Sequence, residues 1–217
     1  MRAFTLILAG ALSVYFPESA GAQPISRTDF TGLVGWFNAN KSRIASDVDN
    51  GWYNRSAYGA VMLGWYWTDH LKSEVEFGVS SPAELYALRT ISAPGQTTYT
   101  RSEHRFSTRR VTAGQQYQFF RNAWAHPHVG AGVDLTWERH EEEVDPIYFY
   151  DSVARTTRVI ADAETIGPSI DFRVRPFAEV GTKLYLGQRG FFRTDLRLTF
   201  RDRVEEVIIR FGFGVDF

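Results

Sequence analysis

The sequence has 217 residues, a formal net charge of −1 at pH 7 and no cysteine. The near-zero charge argues against a nucleic-acid-binding protein, which needs a basic patch or stripe. The lack of cysteine excludes disulfides, thiolate metal ligands, a cysteine nucleophile and a lipidated N-terminal cysteine. Aromatic residues make up 15% of the chain, and the mean hydropathy is −0.26. Such a low hydropathy is compatible with a membrane barrel, because only alternate residues of each strand meet lipid.

The N-terminus has the pattern of a signal peptide. Arg2 provides a positive charge, residues 3–16 are mainly apolar, and Ala20 and Ala22 match the small-residue rule for cleavage. We therefore predict a signal peptide over residues 1–22 and a mature domain over residues 23–217. The alternative is a buried N-terminal helix. No later apolar run approaches the roughly 20 residues of a membrane helix.

Alternation of apolar and polar residues, which is typical of β-strands, predicts eight strands in the mature chain. Their connections are alternately long and short, the long ones covering residues 38–54, 81–104 and 140–167. For residues 81–104, an extension of the third strand into the loop is the open alternative. A shorter loop covers residues 202–206. This asymmetry and the even strand number are typical of outer-membrane barrels, with short periplasmic turns and long extracellular loops. The eight strands are Asp29–Asn38, Arg55–Trp67, Leu71–Ser80, Arg105–Phe120, Pro127–Arg139, Asp171–Leu186, Phe191–Arg201 and Val207–Phe217.

The last strand has the clearest alternation. One face is apolar at every position, whereas the other carries mostly small or charged residues, among them Arg210 and Asp216. In a water-soluble protein such a face needs a packed core, but in a membrane it needs only lipid. A tilted membrane strand takes about 9–11 residues, which this run provides. The facing of the first strand stays open at this stage.

The chain resembles a known family at this point. The phase of the alternation, the segment from Pro127 to Val133 and the terminal Phe217 are similar to those of small eight-stranded outer-membrane barrels of the OmpA/OmpX type. The resemblance implies an all-β, antiparallel, up-and-down transmembrane barrel. It also implies an assembly signal, read by the barrel-assembly machinery, at Phe211, Phe213, Val215 and Phe217. A soluble lipocalin-like barrel is the alternative fold.

If the apolar faces point outward, the charged residues of the other faces point into the lumen. An eight-stranded barrel is only just wide enough for its side chains to fill, so we expect a plug of ion pairs rather than a pore. We also expect inward glycines, such as Gly78 and Gly214, to leave room for arginine side chains. The predicted lumen charge network consists of Glu74, Glu76, Arg110, Asp134, Arg173, Arg175, Glu179, Arg193, Asp195, Arg197 and Arg210.

Two segments contain residue types that other proteins use in catalysis or metal binding. The run from His140 to Glu143 has metal-ligating types, but a solvated acidic loop is the more common origin of such a run. Ser102 and His104 are found in hydrolases, and some outer-membrane barrels modify lipid A. We place Ser102, Glu103 and His104 on opposite faces of a strand and find no G-x-S-x-G motif. The sequence therefore predicts no catalytic, cofactor or metal site.

The favoured function is a structural or surface-interaction role performed by the extracellular loops, since loops on a rigid scaffold often carry binding residues. The expected surroundings are outer-membrane lipid, and we expect a monomer. The alternatives are a narrow passage for small apolar molecules and a lipid A-modifying enzyme. The loop residues that we expect to be most exposed to partners are Trp52, Tyr53, Tyr99, Tyr148, Phe149 and Tyr150.

Overall fold

The structure is a computed structural model that describes residues 27–40, 52–93, 96–120, 124–151 and 155–217. The predicted signal peptide, residues 1–22, lies outside the described residues. Within the described part of the chain, no helix is long and apolar enough to cross a bilayer.

Eleven strands make up the described chain, and eight of them close into a barrel. β3 pairs with β5, and β1 pairs with β11, so that the order around the barrel is β1, β2, β3, β5, β6, β9, β10, β11. Every pairing is antiparallel and joins strands that follow one another in this order. The predicted antiparallel up-and-down barrel of eight strands is thus confirmed. The strands are β1 (Thr28–Asn40), β2 (Trp52–Tyr66), β3 (Leu71–Ser80), β4 (Ala83–Ala93), β5 (Gln96–Gln118), β6 (Ala125–Val144), β7 (Ile147–Asp151), β8 (Thr156–Ala161), β9 (Glu164–Tyr185), β10 (Gly190–Phe200) and β11 (Val204–Asp216).

The barrel is apolar outside and ionic inside, because the side chains of a strand point alternately to its two faces. Phe213 on β11 is 65% exposed, whereas Arg210, on the other face of the same strand, is completely buried. On β1 the facing left open by the sequence is resolved, with Phe30 and Trp36 outside and Leu33 buried inside. The outward apolar band also contains Val61, Leu63, Trp65, Val75, Phe77, Val79, Val129, Val133, Val174 and Val180.

The two ends of the barrel differ in their connections. At one end, tight turns such as residues 67–70 and 186–189 join neighbouring strands. We call this the short-turn end, and both Arg27 and Phe217 lie there. The Tyr66 N–H donates to the carbonyl of Arg27, and the Phe217 N–H donates to the carbonyl of Thr28. The opposite end, here the hairpin end, carries β4, β7 and β8.

The prediction of a long loop over residues 81–104 is wrong. β4 pairs with the first half of β5 from Ala83↔Phe106 to Ala93↔Gln96, which makes a hairpin that prolongs the barrel wall. Pro82 interrupts the chain between β3 and β4 without ending the sheet, since a proline only removes one ladder donor. Alternation continues on β4, where Leu85 is buried and Tyr86 is exposed.

The other three loop predictions are wrong in their extent. Within residues 38–54, β1 continues to Asn40 and β2 begins at Trp52. Within residues 140–167, β6 continues to Val144 and β9 begins at Glu164, and β7 and β8 form a separate hairpin between them. Within residues 202–206, β11 already begins at Val204. A register shift between Thr199 and Phe200 leaves one extra residue on β11, which is the geometry of a β-bulge.

The outward apolar band ends well before the strands do. On β6 the last outward apolar residue is Trp137, and the following outward residues, Arg139 and Glu141, are charged and solvent-accessible. Trp137 faces Arg109 on β5. Residues of β5 before Arg109 and of β6 after Trp137 therefore lie beyond the outward apolar band, in the hairpin end.

Candidate functional site in the barrel lumen

Three arginines form the middle of the lumen. Arg193 and Arg197 share the inner face of β10, and Arg210 lies on the adjacent β11, directly opposite Asp195 in the ladder. All three side chains are buried, and we call them the central arginines. Because a buried guanidinium without a partner is very costly, this layer requires carboxylates from other strands.

Carboxylates from β3, β9 and β10 surround the central arginines. Arg193 binds both oxygens of Glu74, at 2.5 and 3.0 Å. Arg197 lies 2.9 Å from Glu76 and 2.9 Å from Glu179. Arg210 binds Glu179 at 2.9 Å and Asp195 at 3.1 Å, and it also binds Glu76.

These ion pairs span the barrel rather than following its wall. β3 and β10 are four places apart in a ring of eight strands, so they lie on opposite sides of the lumen. The pairs Arg193–Glu74 and Arg197–Glu76 therefore bridge the interior directly. His128 on β6 adds a bond to this layer, its Nε2 lying 2.8 Å from Asp195.

A second ionic layer closes the short-turn end. Lys72 lies 2.6 Å from Asp29 and 2.5 Å from Glu74, which joins this layer to the central arginines. Lys183 lies 2.6 Å from Asp216 and 3.1 Å from Asp29. Asp29 was not predicted as a lumen residue, because the facing of its strand was ambiguous from sequence.

A third ionic layer lies towards the hairpin end. Arg110 is 3.0 Å from Asp134 and 3.1 Å from Glu206, and Arg175 is 2.7 Å from Glu206 and 3.3 Å from Glu205. Glu205 and Glu206 had been predicted to lie in a loop, yet both are buried. The signal that was missed is the phase of alternation, since residue 206 is two positions before Ile208 and four before Arg210.

The remaining predicted network residue, Arg173, does not join these layers. Its side chain is 25% exposed and lies 3.8 Å from Glu138 and 3.6 Å from Asp171, at the mouth of the hairpin end. The other ten predicted residues are brought together in the three layers.

An apolar cap covers the third layer, which the sequence did not predict. Phe37 and Ile208 from the barrel meet Leu85 of β4 and Phe106 of β5 in one buried cluster, together with Ala39, Tyr58, Ala83 and Ala87. Arg110 lies below this cap, with its guanidinium carbon 4.9 Å from the centre of the Phe37 ring. In the described part of the chain, the lumen therefore holds ion pairs and, towards the hairpin end, buried apolar side chains.

Comparisons with known proteins agree with this architecture. No family model and no curated protein matches the sequence. Among solved structures, Neisserial surface protein A shares 13% identity with a TM-score of 0.55, covering 88% of this chain and 97% of that one. The outer membrane protein OprG of Pseudomonas aeruginosa shares 11% identity with a TM-score of 0.50, again with 88% and 97% coverage.

The chain has the fold of the small eight-stranded outer-membrane β-barrels. The identities are so low that the likeness concerns the fold alone. In this barrel, the predicted assembly residues Phe211, Phe213 and Val215 lie on the outer face of β11, next to β1 and β10, and Phe217 directly follows the strand. The ring of Phe211 lies 5.4 Å from that of Trp36, and the ring of Phe213 lies 5.4 Å from that of Phe192.

The inward glycines of the barrel do not make room chiefly for arginines, as the sequence had led us to expect. A Cβ atom at Gly78 would lie 2.0 Å from the hydroxyl of Tyr58, and one at Gly214 would lie 2.2 Å from the Phe191 ring. Glycine at these positions instead leaves room for aromatic rings. Tyr58 uses this room to donate a 2.5 Å hydrogen bond to Glu76.

A polar cluster lies on the inner face of the barrel beyond the apolar band. Ser102 and His104 are on the same face of β5, and the Ser102 hydroxyl is 3.3 Å from Nε2 of His104. The sequence argument that separated these residues onto opposite faces is wrong, because positions two apart on a strand share a face. Nδ1 of His104 lies 3.1 Å from Nε2 of His140. Burial and the neighbouring charge of His104 lower the pKa of His140.

Among the residues that the structure describes, no group of three or more histidine, aspartate, glutamate or cysteine side chains converges as a metal site. The acidic run Glu141–Glu143 is part of β6, and its members alternate, so that Glu142 faces inward near His104 at 3.9 Å. Glu143 faces outward, 3.7 Å from Arg105.

Proposed function

We propose that the chain is a monomeric, non-enzymatic outer-membrane protein, exported by residues 1–22, whose hairpin end faces the cell exterior and interacts with other surfaces. The observation that carries this proposal is the contrast between a closed lumen and an exposed hairpin. Among the described residues, ion pairs and apolar side chains occupy the interior, so we assign the function to the outside of the molecule.

The closed lumen argues against a pore. Ion pairs from opposite walls occupy the middle of the barrel, and the apolar cap closes the same passage towards the hairpin end. An eight-stranded barrel has room for such side chains and little else. Reconstituted in planar lipid bilayers, the wild-type protein should show no stable ion conductance. A stable open channel would contradict this part of the proposal.

The β7–β8 hairpin supports a role in surface interaction. All residues of β8 are exposed, and four apolar or aromatic side chains, Tyr148, Tyr150, Val159 and Ile160, are each more than half exposed, at 51–54%. Exposed apolar side chains grouped in this way commonly mark interaction sites. Both strands pair only with each other among the described strands, so the hairpin adds no strand to the barrel wall.

Adhesion of whole cells tests this role. Cells expressing the wild-type chain should adhere to protein-coated surfaces severalfold better than cells expressing a variant with serine at positions 148, 150, 159 and 160. A matched control carries the conservative changes Thr157→Ser and Arg158→Lys on the same hairpin, and it should adhere like wild type. Equal adhesion of all three at equal surface amounts would refute the proposal.

A second candidate function is the entry of a small apolar molecule. It is favoured by an interruption of strand pairing in the barrel wall between β2 and β4. The β2–β3 ladder ends at Tyr58↔Ser80, with one more bond from the Ser81 amide to Ala57. Among the described strands, β4 is paired only with β5, and the apolar cap lies behind this unpaired edge. Uptake of an apolar fluorescent dye into vesicles, lowered by Leu85→Glu, would support entry at this point; uptake equal to that of protein-free vesicles would exclude it.

A further inference from the structure

His104 on β5 and His140 on β6 are joined by a hydrogen bond at the hairpin end, beyond the outward apolar band. Nδ1 of His104 lies 3.1 Å from Nε2 of His140. In the β5–β6 ladder His104 is opposite Glu142 and His140 is opposite Phe106, so the two rings are diagonal neighbours. A fully protonated imidazole has only donors. The bond therefore exists only while at least one of the two rings is neutral.

Stacking connects this pair to the apolar cap. The imidazole of His140 lies 4.6 Å from the Phe106 ring at an interplanar angle of 8°, and 5.3 Å from the His104 ring at 19°. Phe106 is buried, and it belongs to the same cluster as Leu85 of β4. A displacement of His140 would therefore disturb the packing that holds the β4–β5 hairpin to the cap.

The surroundings of His140 oppose a positive charge on its ring. Burial and the neighbouring charge of His104 lower the pKa of His140, although Glu142, Glu138 and Asp171 act in the opposite direction. Because the lowering effects prevail, the ring resists protonation while it stays in this position.

The three carboxylates also interact with other cationic groups. Arg173 lies 3.8 Å from Glu138 and 3.6 Å from Asp171. The carboxylate of Glu142 is 3.9 Å from Nε2 of His104. On β4, the residue opposite His104 is Leu85, which carries no charge. A second positive charge on the pair would therefore be only partly compensated.

We propose that the His104–His140 pair is a pH-sensitive switch that holds the hairpin end closed at neutral pH and opens it in acid. With one ring neutral, the hydrogen bond joins β5 to β6 beyond Trp137. Protonation of the second ring replaces this bond by repulsion between two cations. The ends of β5 and β6 then separate, and Phe106 leaves the apolar cap. This switch goes beyond the proposed surface interaction and does not depend on it.

The direction of the pH dependence follows from the lowered pKa of His140. In the opened segment the ring titrates near the usual histidine value of 6.5, whereas in the closed segment it takes up a proton only at lower pH. The closed form therefore has its full stability above pH 6.5. It loses stability as the pH falls from there through the lower pKa of the closed form.

Hydrogen exchange of the wild-type chain in detergent micelles tests the switch, because exchange reports local opening. Amide protection is compared at about pH 7.5 and about pH 5, on either side of the usual histidine pKa, after correction for the intrinsic pH dependence of exchange. Protection of residues 102–108 and 138–144 should fall severalfold in acid. Protection of β10, which carries two of the central arginines, should stay constant.

His104→Gln and His140→Gln each remove one ionisable ring and keep a side chain that can donate and accept a hydrogen bond. In acid, both variants should retain the protection that the wild-type segments have at neutral pH. The control changes His70→Gln and His126→Gln, both at the short-turn end, should show the wild-type loss. Heat-dependent gel mobility checks that each variant is folded.

Nitrogen NMR of the wild-type chain with labelled histidine follows the charge of the two rings and needs no variant. The loss of protection should occur over the pH range in which the second ring of the pair becomes protonated, and this comparison decides if a variant loosens the segment at both pH values. Wild-type protection that stays constant in acid, or that falls without a change in ring charge, would overturn the proposal. So would a loss in acid that is as large in both folded glutamine variants as in the wild type.

Discussion

The guanidinium of Arg193 on β10 forms two hydrogen bonds, of 2.5 and 3.0 Å, to the two carboxylate oxygens of Glu74 on the opposite wall of the barrel. The residues are 119 positions apart in sequence. Both are buried, and Arg193 also binds Asp195 at 2.8 Å and Glu179 at 3.2 Å. One arginine thus joins three strands across the lumen, which makes it a suitable residue for testing the stabilising role of the plug.

Replacing Arg193 by methionine should destabilise the folded barrel strongly. The change leaves Glu74 and its neighbours as buried carboxylates with one cation fewer, and breaking a buried pair in this way costs about 3–5 kcal/mol. The measurement is the midpoint of denaturant unfolding in detergent, with heat-dependent gel mobility as the readout of the folded fraction.

Arg105→Met is the matched control, because Arg105 pairs with Glu103 at 2.8 Å on the exposed outer face. Exposed ion pairs contribute little to stability, so its midpoint should stay at the wild-type value. If both variants shifted the midpoint equally, the central ion pairs would not be the source of stability.

Gly78→Val should also destabilise the barrel, for a steric reason. Its side chain would occupy the space of the Tyr58 hydroxyl, which donates a hydrogen bond to Glu76. Overpacking of this kind typically costs about 1–3 kcal/mol. Gly59→Val on β2 is the control, since a Cβ atom there meets no atom within 4 Å. Unfolding midpoints of the two variants should differ, and equal midpoints would show that Tyr58 moves aside freely.

Period-two alternation predicted the membrane part of the barrel well, because hydrocarbon outside and ionic side chains inside impose opposite chemistry on neighbouring residues. Val215 and Asp216, for example, need no tertiary information to be assigned to opposite faces. The hairpin end was harder to predict, because both faces of its strands meet water or other protein. There, Pro82 and the polar residues around it were interpreted as the end of the sheet.

The contacts within the lumen were predictable by residue type but not by partner. Which carboxylate meets Arg197 depends on the stagger of eight strands, which no local pattern reports. Glu206 was missed because it ends a mainly polar run, residues 202–206, that resembles a loop, although it is in phase with Ile208 and Arg210. The pairing of His104 with His140 likewise depends on the β5–β6 register, which alternation alone does not determine.

Removing the β7–β8 hairpin should leave the barrel intact. Replacing residues 147–161 by a short glycine–serine linker deletes strands that pair only with each other among the described strands, and it touches none of the three ionic layers. The unfolding midpoint and the heat-dependent gel shift should both match wild type. By contrast, deleting residues 83–106 removes Leu85 and Phe106 from the apolar cap and should lower the midpoint. A large loss of stability on removal of 147–161 would mean that this hairpin is part of the folded core.

Phe217→Ala should lower the amount of barrel assembled in the outer membrane of cells without changing its stability once folded. Phe217 is 64% exposed at the end of β11, so its ring contributes little to packing within the chain. The resemblance to small outer-membrane barrels implies that this ring is read during assembly. The first measurement is the quantity of heat-modifiable protein in isolated membranes, which should fall severalfold. The second is refolding of the purified chain into detergent, which should not change.

The matched control is Phe172→Ala, which changes an outward phenylalanine on β9 that is 55% exposed. This variant should assemble like wild type. Equal losses for the two variants in cells would mean that lipid-facing aromatic area, rather than the chain end, limits assembly.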